Sequence, residues 1–281
     1  MPPADPNPAV VSRLVRRIGA GAAAHDETDQ LAVEEPLLIE LAYHRDGGRV
    51  VDSVSVTMRT PGHDVELAVG FLFTEGLLAD AGEIADASPS APNTVRVTLE
   101  ARVPVDLRRL ERHFYTTSSC GVCGKTSLEA LGAARPIALP PARPVVDAAV
   151  VDALPATLRA AQAAFDRTGG LHAAALFDVR GRLLLLREDV GRHNAVDKLV
   201  GASLLAGTLP LNDRLVLVSG RASFELVQKV LAAGIPILAA VGAPSSLAVD
   251  SALAYDATLL GFVRDGRFNV YAGGERVSSS S

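Results

Sequence analysis

At 281 residues, with 48% apolar and 21% charged side chains, the chain has enough material for one large or two modest domains with a real hydrophobic core. A formal net charge of -5 argues against broad nucleic-acid binding, and 4% aromatics with no tryptophan leave little for single strands to stack on. No uninterrupted apolar stretch has the length of a membrane span, and Met1 to Ala24 lacks the apolar run of a secretory signal, so a soluble cytoplasmic protein is expected.

Residues 1–30 show no clear periodicity and read as a mostly disordered, flexible tail. From Val50 to Arg59 the pattern alternates, Val54, Val56 and Met58 against Ser53, Ser55 and Thr57, which predicts a half-buried strand. After the turn Thr60-Pro61-Gly62 a helix is predicted over 64–78, with Asp64 and Glu66 in its first turn. Thr94 to Leu99 alternates again as a strand. The prolines 136, 140, 141 and 144 then mark a linker. An N-terminal α+β domain over 31–145 and a C-terminal domain over 146–281 follow from that boundary. In the second domain Val150, Leu154, Leu158 and Phe165 share a helical face, and Leu171 to Phe177 with Arg182 to Leu186 form a hairpin. Helices over 194–206, near 223–233 and near 245–253 alternate with short β-rich runs at 215–218, 235–241 and 258–263. That alternation predicts a parallel α/β sheet under helical cover.

The only two cysteines, Cys120 and Cys123, stand in Thr116-Thr117-Ser118-Ser119-Cys120-Gly121-Val122-Cys123-Gly124-Lys125. Small, polar flanks and a nearby lysine suit an exposed thiolate. A disulfide framework gains little from so short a loop. Two readings stay open on spacing alone: half of a zinc site, completed by a second chain, and sulfur or redox chemistry in which one thiolate attacks and the other assists or resolves.

The densest polar run, Glu188 to Lys198, follows an apolar strand and opens a helix, at the strand end where α/β sheets bind ligands. Arg192, His193 and Asn194 there offer donors beside free helix N–H groups, an anion site by chemistry. Asp197 and Lys198 further on read as solvated. Ser219, Gly220 and Arg221 make a strand-to-helix turn without a dinucleotide or Walker pattern, which reads as a plain tight turn. Arg264 and Arg267, after the last strand, read from spacing as surface arginines. Gly169 to Ala174 has the outline of a zinc-deaminase motif, but Ala174 stands where the catalytic glutamate is needed and both cysteines lie upstream of His172. His172 therefore reads as a packed or hydrogen-bonded residue.

Taken together, several segments resemble the formate dehydrogenase accessory sulfurtransferases of the FdhD family. They are Pro61 to Leu72, Ser118 to Gly124, Thr168 to Ala174, Glu188 to Lys198, Ser219-Gly220-Arg221, and Gly261 to Arg264 through Phe268 to Tyr271, in order over about 210 residues. The chain departs from the family pattern at Phe224, where a small residue is usual, and at Val241-Gly242, where a polar pair is usual. The resemblance implies a homodimeric cytoplasmic sulfur carrier. Its second domain would be a cytidine-deaminase-like three-layer α/β unit with a mixed, largely parallel sheet. A cysteine desulfurase would load a persulfide on Cys120, with Cys123 as helper. The sulfur would then pass to the molybdenum cofactor, in its bis-guanine-dinucleotide form, before that cofactor enters formate dehydrogenase. Phe262, Val263, Arg264, Asp265, Gly266 and Arg267 match the segment that binds this cofactor, and Arg192, His193, Asn194, Ser219, Gly220 and Arg221 would help to hold it. The resemblance implies no metal bound by the protein itself.

Overall fold

The structure, a computed structural model, describes residues 9–21, 23–105 and 137–279. The segment with Cys120 and Cys123 lies outside the described residues. The chain opens with β1 (Val10–Arg17) and β2 (His25–Ala32), an antiparallel ribbon where a flexible tail was expected. Its cross-strand partners explain this: Arg16 faces Asp26 and Arg13 faces Asp29, so paired charges replace the apolar alternation that a sequence scan seeks. Only the base of the ribbon is packed, where Val10 meets Ala164 and Leu171.

A four-stranded sheet follows, built of β3 (Glu35–Arg45), β4 (Gly48–Arg59), β5 (Ile84–Ala91) and β6 (Thr94–Leu99) in the order β4-β3-β6-β5. Leu37, Ile39, Leu41 and Tyr43 alternate inward from β3, and Val95, Val97 and Leu99 from β6. The predicted face of β4 is corrected. Ser53 and Ser55 pair with consecutive residues of β3, so Val54 is a bulge. Beyond it the facing of the strand inverts, which buries Val54 but leaves Val56 58% and Met58 48% exposed.

α1 (Asp64–Thr74) ends one turn short of the prediction. It is buried on nearly every side from Leu67 to Thr74 because it lies between layers. Its partner is α4 (Arg192–Leu205), and the two helices meet backbone to backbone at Gly70 and Gly201. A Cβ on Gly201 would overlap the Glu66 carbonyl and sit 2.7 Å from the Gly70 nitrogen; one on Gly70 would sit 2.8 Å from the Gly201 nitrogen.

The second half is an α/β/α stack. After β7 (Val146–Asp147) come α2 (Ala148–Ala161), α3 (Ala163–Thr168), β8 (His172–Asp178) and β9 (Leu183–Asp189). Past α4 follow β10 (Arg214–Val218), α5 (Phe224–Ala232), β11 (Ile237–Ala240), α6 (Ser246–Ala254), β12 (Thr258–Arg264), β13 (Arg267–Ala272) and β14 (Val277–Ser278). The six-stranded sheet has the order β13-β12-β11-β10-β8-β9. The sheet is mixed, as expected, but only β10–β11 and β11–β12 are parallel, so it is parallel at its centre and not for the most part. Tight turns at β8–β9 and β12–β13 force antiparallel pairing at both flanks. One face carries α4, α5 and α6, and the other carries α2 through Val151, Leu154 and Leu158.

The two halves share one hydrophobic core, which runs from Leu37 and Leu67 through Leu199 to Leu238. The proline-rich stretch between them is pinned. The fully buried Arg276 guanidinium donates to the carbonyls of Pro140 (2.8 Å), Arg143 (2.9 Å) and Asp256 (2.7 Å).

Charged pairs tie the layers together as well. On β9, Arg187 reaches Glu66 of α1 with Nε at 2.5 Å and Nη2 at 2.7 Å. Burial alone would raise the Glu66 carboxyl, but Arg187 and then His63 outweigh it and hold it at about 2, below the ordinary 4.5. A depressed carboxylate stabilises the fold above its unfolded value and stops doing so as pH falls from about 4.5 through about 2. Glu66→Gln is therefore expected to cost about 2 kcal/mol at neutral pH, measured by urea unfolding, with the gap to wild type closing over that acid window.

Candidate functional site

The sheet topology gathers the polar motifs on one edge. β9 ends at Asp189 opposite His172, where β8 begins, and Ala174 pairs with Val218 at the end of β10. β11 and β12 run parallel to β10, so their carboxyl ends share that edge. The loops are joined in sequence across it. Gly242 N donates to Gly220 O at 2.9 Å, Phe262 N donates to Gly242 O at 3.0 Å, and Ala222 bridges to Pro244. The turn at Ser219 and the segment from Phe262 thus become neighbours although about 40 residues separate them in sequence.

Cys120 and Cys123 lie outside the described residues, but each residue expected to hold the cofactor has a definite place. Arg192 and His193 open α4 behind Gly191, where no side chain caps the helix. His193 Nε2 lies 3.2 Å from Ser223 Oγ and 3.4 Å from Glu225 Oε2, so it bridges to the start of α5. Hydrogen bonds, from His193 foremost, hold the Glu225 carboxyl at about 2 against partial burial. Ser219 accepts from Ala173 N at 2.9 Å, Gly220 sits against the His172 ring, and Arg221 is exposed. Phe262 takes a left-handed φ of 54°, and Arg264 lies 5.5 Å from the centre of its ring. Asp265 and Gly266 form the turn into β13, flanked by the paired Arg264 and Arg267.

Two members of the set face away from any ligand. Val263 is fully buried in the core beneath α2. Asn194 is spent on the scaffold: its Nδ2 donates to Met58 O (2.8 Å) and Asp189 Oδ1 (3.0 Å), and its Oδ1 accepts from Thr57 (3.1 Å). The reading of Asp197 and Lys198 as solvated is also overturned. Lys198 Nζ is 2.7 Å from Asp189 Oδ2 and donates to Thr60 O at 2.8 Å, with both charged side chains buried. Asp197 accepts from Lys229 at 2.9 Å and from Thr74 at 2.8 Å, also out of solvent. Burial disfavours the Lys229 charge, but Asp197 and Glu75 outweigh it and raise its pKa. The run Glu188 to Lys198 is therefore half sheet edge and half buried joint.

The structure adds residues that the sequence reading set aside. His172 stands half-buried in the middle of the edge. Burial, then the nearby Arg192 and His193 charges, lowers its pKa, so the ring is neutral at pH 7. Beside it a groove of about 550 Å³ runs down between the α2–α3 elbow and the sheet. Gln162, at the elbow, lines it. Its sequence signal is a single amide in the run Ala160-Ala161-Gln162-Ala163-Ala164. Among the described residues no His, Cys, Asp or Glu cluster fit to hold a metal occurs, and no helix is long and apolar enough to cross a membrane.

A cationic edge above an apolar groove is chemically able to hold an anionic ligand that carries a ring. The FdhD/NarQ family model matches residues 33–278. The Sulfur carrier protein FdhD of Streptomyces avermitilis is 50% identical over 277 residues, covering 95% of each chain. That of Streptomyces coelicolor is 51% identical with the same coverage, and that of Mycobacterium tuberculosis 46% identical over 96% of this chain and 99% of its own. Among solved structures, one described as a formate dehydrogenase accessory protein, from Desulfotalea psychrophila, superposes with a TM-score of 0.73. It is 26% identical and covers 96% of this chain and 100% of its own. With a family match over nearly the whole chain and relatives at about half identity, this chain belongs to the FdhD/NarQ family.

Proposed function

We propose that the chain is a cytoplasmic sulfur carrier, a sulfurtransferase that serves formate dehydrogenase maturation. The observation that carries this reading is identity of about 50%, over 95% of the chain, to proteins named as sulfur carriers. The chain's only two thiols, Cys120 and Cys123, suit the chemistry. The Cys120 thiolate attacks the terminal sulfur of a persulfide on a cysteine desulfurase. A new Sγ–S bond forms, the donor's S–S bond breaks, and the donor leaves as thiolate, with no net redox change. Delivery as sulfide requires two electrons, which the second thiol supplies. Cys123 attacks Cys120 Sγ, a Cys120–Cys123 disulfide forms, and hydrosulfide leaves toward the acceptor.

The acceptor in this reading is the molybdenum cofactor in its bis-guanine-dinucleotide form, bound as substrate at the sheet edge. Arg192, Arg221, Arg264 and Arg267 supply cations for its phosphates, His193 and the uncapped start of α4 add donors, and the Phe262 to Arg267 segment provides one wall. The cytidine-deaminase likeness of the C-terminal layers and a homodimeric assembly belong to the same reading.

The test is intact-protein mass spectrometry after incubation with a cysteine desulfurase and cysteine. Wild type should gain the mass of one sulfur atom, removable by reductant, and Cys120→Ala should gain none. Retained stoichiometric zinc with no added sulfur would replace the carrier by a metal-stapled cofactor chaperone.

A further inference from the structure

His172 opens β8 in the middle of the carboxyl edge, half-buried, and its ring lies against Gly220 in the turn after β10. A Cβ on Gly220 would stand 3.3 Å from the ring Nδ1 and 3.4 Å from Cε1, so the missing side chain there gives the imidazole its seat. Among the described residues the ring has no hydrogen-bond partner and no carboxylate within salt-bridge distance. The other part-buried histidine, His193, has both, in Ser223 and Glu225.

The charges around this ring are cations or carboxylates already engaged elsewhere. Arg192 and His193 press on it from α4, Arg221 follows Gly220 in the turn, and Arg159 of α2 lines the groove beside it. Asp189 is its ladder partner on β9, but that carboxylate is fully occupied. Its Oδ1 accepts from Gly191 N (2.8 Å) and Asn194 Nδ2 (3.0 Å), and its Oδ2 accepts from Thr60 N (3.1 Å) and faces Lys198 Nζ (2.7 Å). Glu188, one residue back, is turned to the start of α3, where it accepts from Ala164 N at 3.3 Å and Phe165 N at 3.0 Å. Burial, Arg192 and His193 therefore outweigh Asp189 and hold the ring below its ordinary 6.5. A proton on His172 lacks a counter-charge of the protein's own, and an anion on the edge supplies one.

We propose that His172 is a proton-linked sensor of this edge: a polyphosphate lying along Arg192 and Arg221 charges the ring, so that ligand and proton are taken up together and given up together. The assignment rests on the reading of that edge as the substrate edge. Phosphates that neutralise the two arginines remove what keeps the ring uncharged and add an attraction of their own. The ring then holds its proton to higher pH with ligand bound than without. By linkage the proton strengthens ligand binding by the same factor as the ligand strengthens proton binding. Affinity is therefore greatest below the free ring's pKa and falls as pH rises through that of the bound ring. Loss of one proton loosens the ligand, and no part of the fold has to move.

The experiment titrates the full chain with inorganic pyrophosphate by calorimetry, as wild type, His172→Asn and His172→Gln. Each titration is run at pH 6.5, the ordinary imidazole value, in two buffers of unlike ionisation enthalpy, which counts the protons taken up. Wild type should take up roughly half a proton more per pyrophosphate than either variant, since the titrations of the ligand and of His193 are common to all three and cancel. Between about pH 6 and about pH 8 its affinity should fall about five-fold further than theirs. In wild type alone, the His172 ring resonance should titrate at higher pH with pyrophosphate bound than without. Equal proton uptake, or a ring titration that pyrophosphate does not move, would make His172 a packing residue and overturn the proposal while leaving the edge reading intact. Failure of pyrophosphate to bind wild type overturns both. Sulfur loading on Cys120 depends on neither, so the mass-spectrometric test stands or falls separately.

Discussion

Gly201→Ala is expected to cost at least about 4 kcal/mol and to yield little folded protein, a large effect for one methyl group. Its Cβ would have to occupy space held by the Glu66 carbonyl and the backbone nitrogen of Gly70, and neither can swing aside as a side chain would. Relief requires α1 and α4 to separate, which opens the core between them and strains the Arg187–Glu66 bridge beside it. Glycine in a helix interior normally costs about 1 kcal/mol relative to alanine, so a naive helix-propensity argument predicts a gain. Gly48→Ala is the control: its Cβ would meet only the Arg45 carbonyl, at 3.8 Å, and stability should change by about 0.5 kcal/mol or less. Urea midpoints of the two variants decide the matter. A stable Gly201→Ala protein would mean that the helices do not cross this closely.

Lys198→Met should cost about 3–5 kcal/mol, because it leaves the wholly buried Asp189 carboxylate without its cation. Asp189 also accepts from Thr60 N at 3.1 Å, Gly191 N at 2.8 Å and Asn194 Nδ2 at 3.0 Å, so it cannot simply turn toward water. Asp189→Asn in the same chain removes the stranded charge and should recover about half of the loss. The coupling in that double-mutant cycle is the observable. Additive effects would show that the two side chains act independently. The sulfur test above remains informative in these variants only where they stay folded.

Most elements could be read from the chain because they follow simple periods. The strand at Thr94–Leu99 matches to the residue, and the helices from Asn194 onward agree within about two. What periodicity could not supply was partners far off in sequence. Lys198 and Asp197 look solvated because nothing in the sequence shows that the polar run folds back on itself or meets a distant cation. Their counterparts are Asp189, and Lys229 with Thr74 at separations of 32 and 123 residues. The bulge at Val54 is likewise invisible in β4 alone, since it exists only against β3. At the site, chemistry on strand ends was readable, but the identity of the edge was not. Strand order alone brings His172, Arg192 and Gly220 together. Gln162 escaped notice because an isolated amide carries no spacing signal.

The joint between the halves also bears on how the chain is made. α1 is apolar on nearly every face, yet the groups that finish covering it, α4 with Asp197 and α5 with Lys229, are encoded far downstream. Thr74 emerges from the ribosome 123 residues before Asp197. At synthesis rates of 5–20 residues per second, α1 waits roughly ten seconds beside its sheet without its cover. Contacts of such long range also slow the search for the native pairing. During that interval the nascent chain offers a greasy helix to whatever is close. A holding chaperone at the ribosome exit should therefore raise the yield of this protein more than that of one whose helices find partners among their immediate neighbours in sequence.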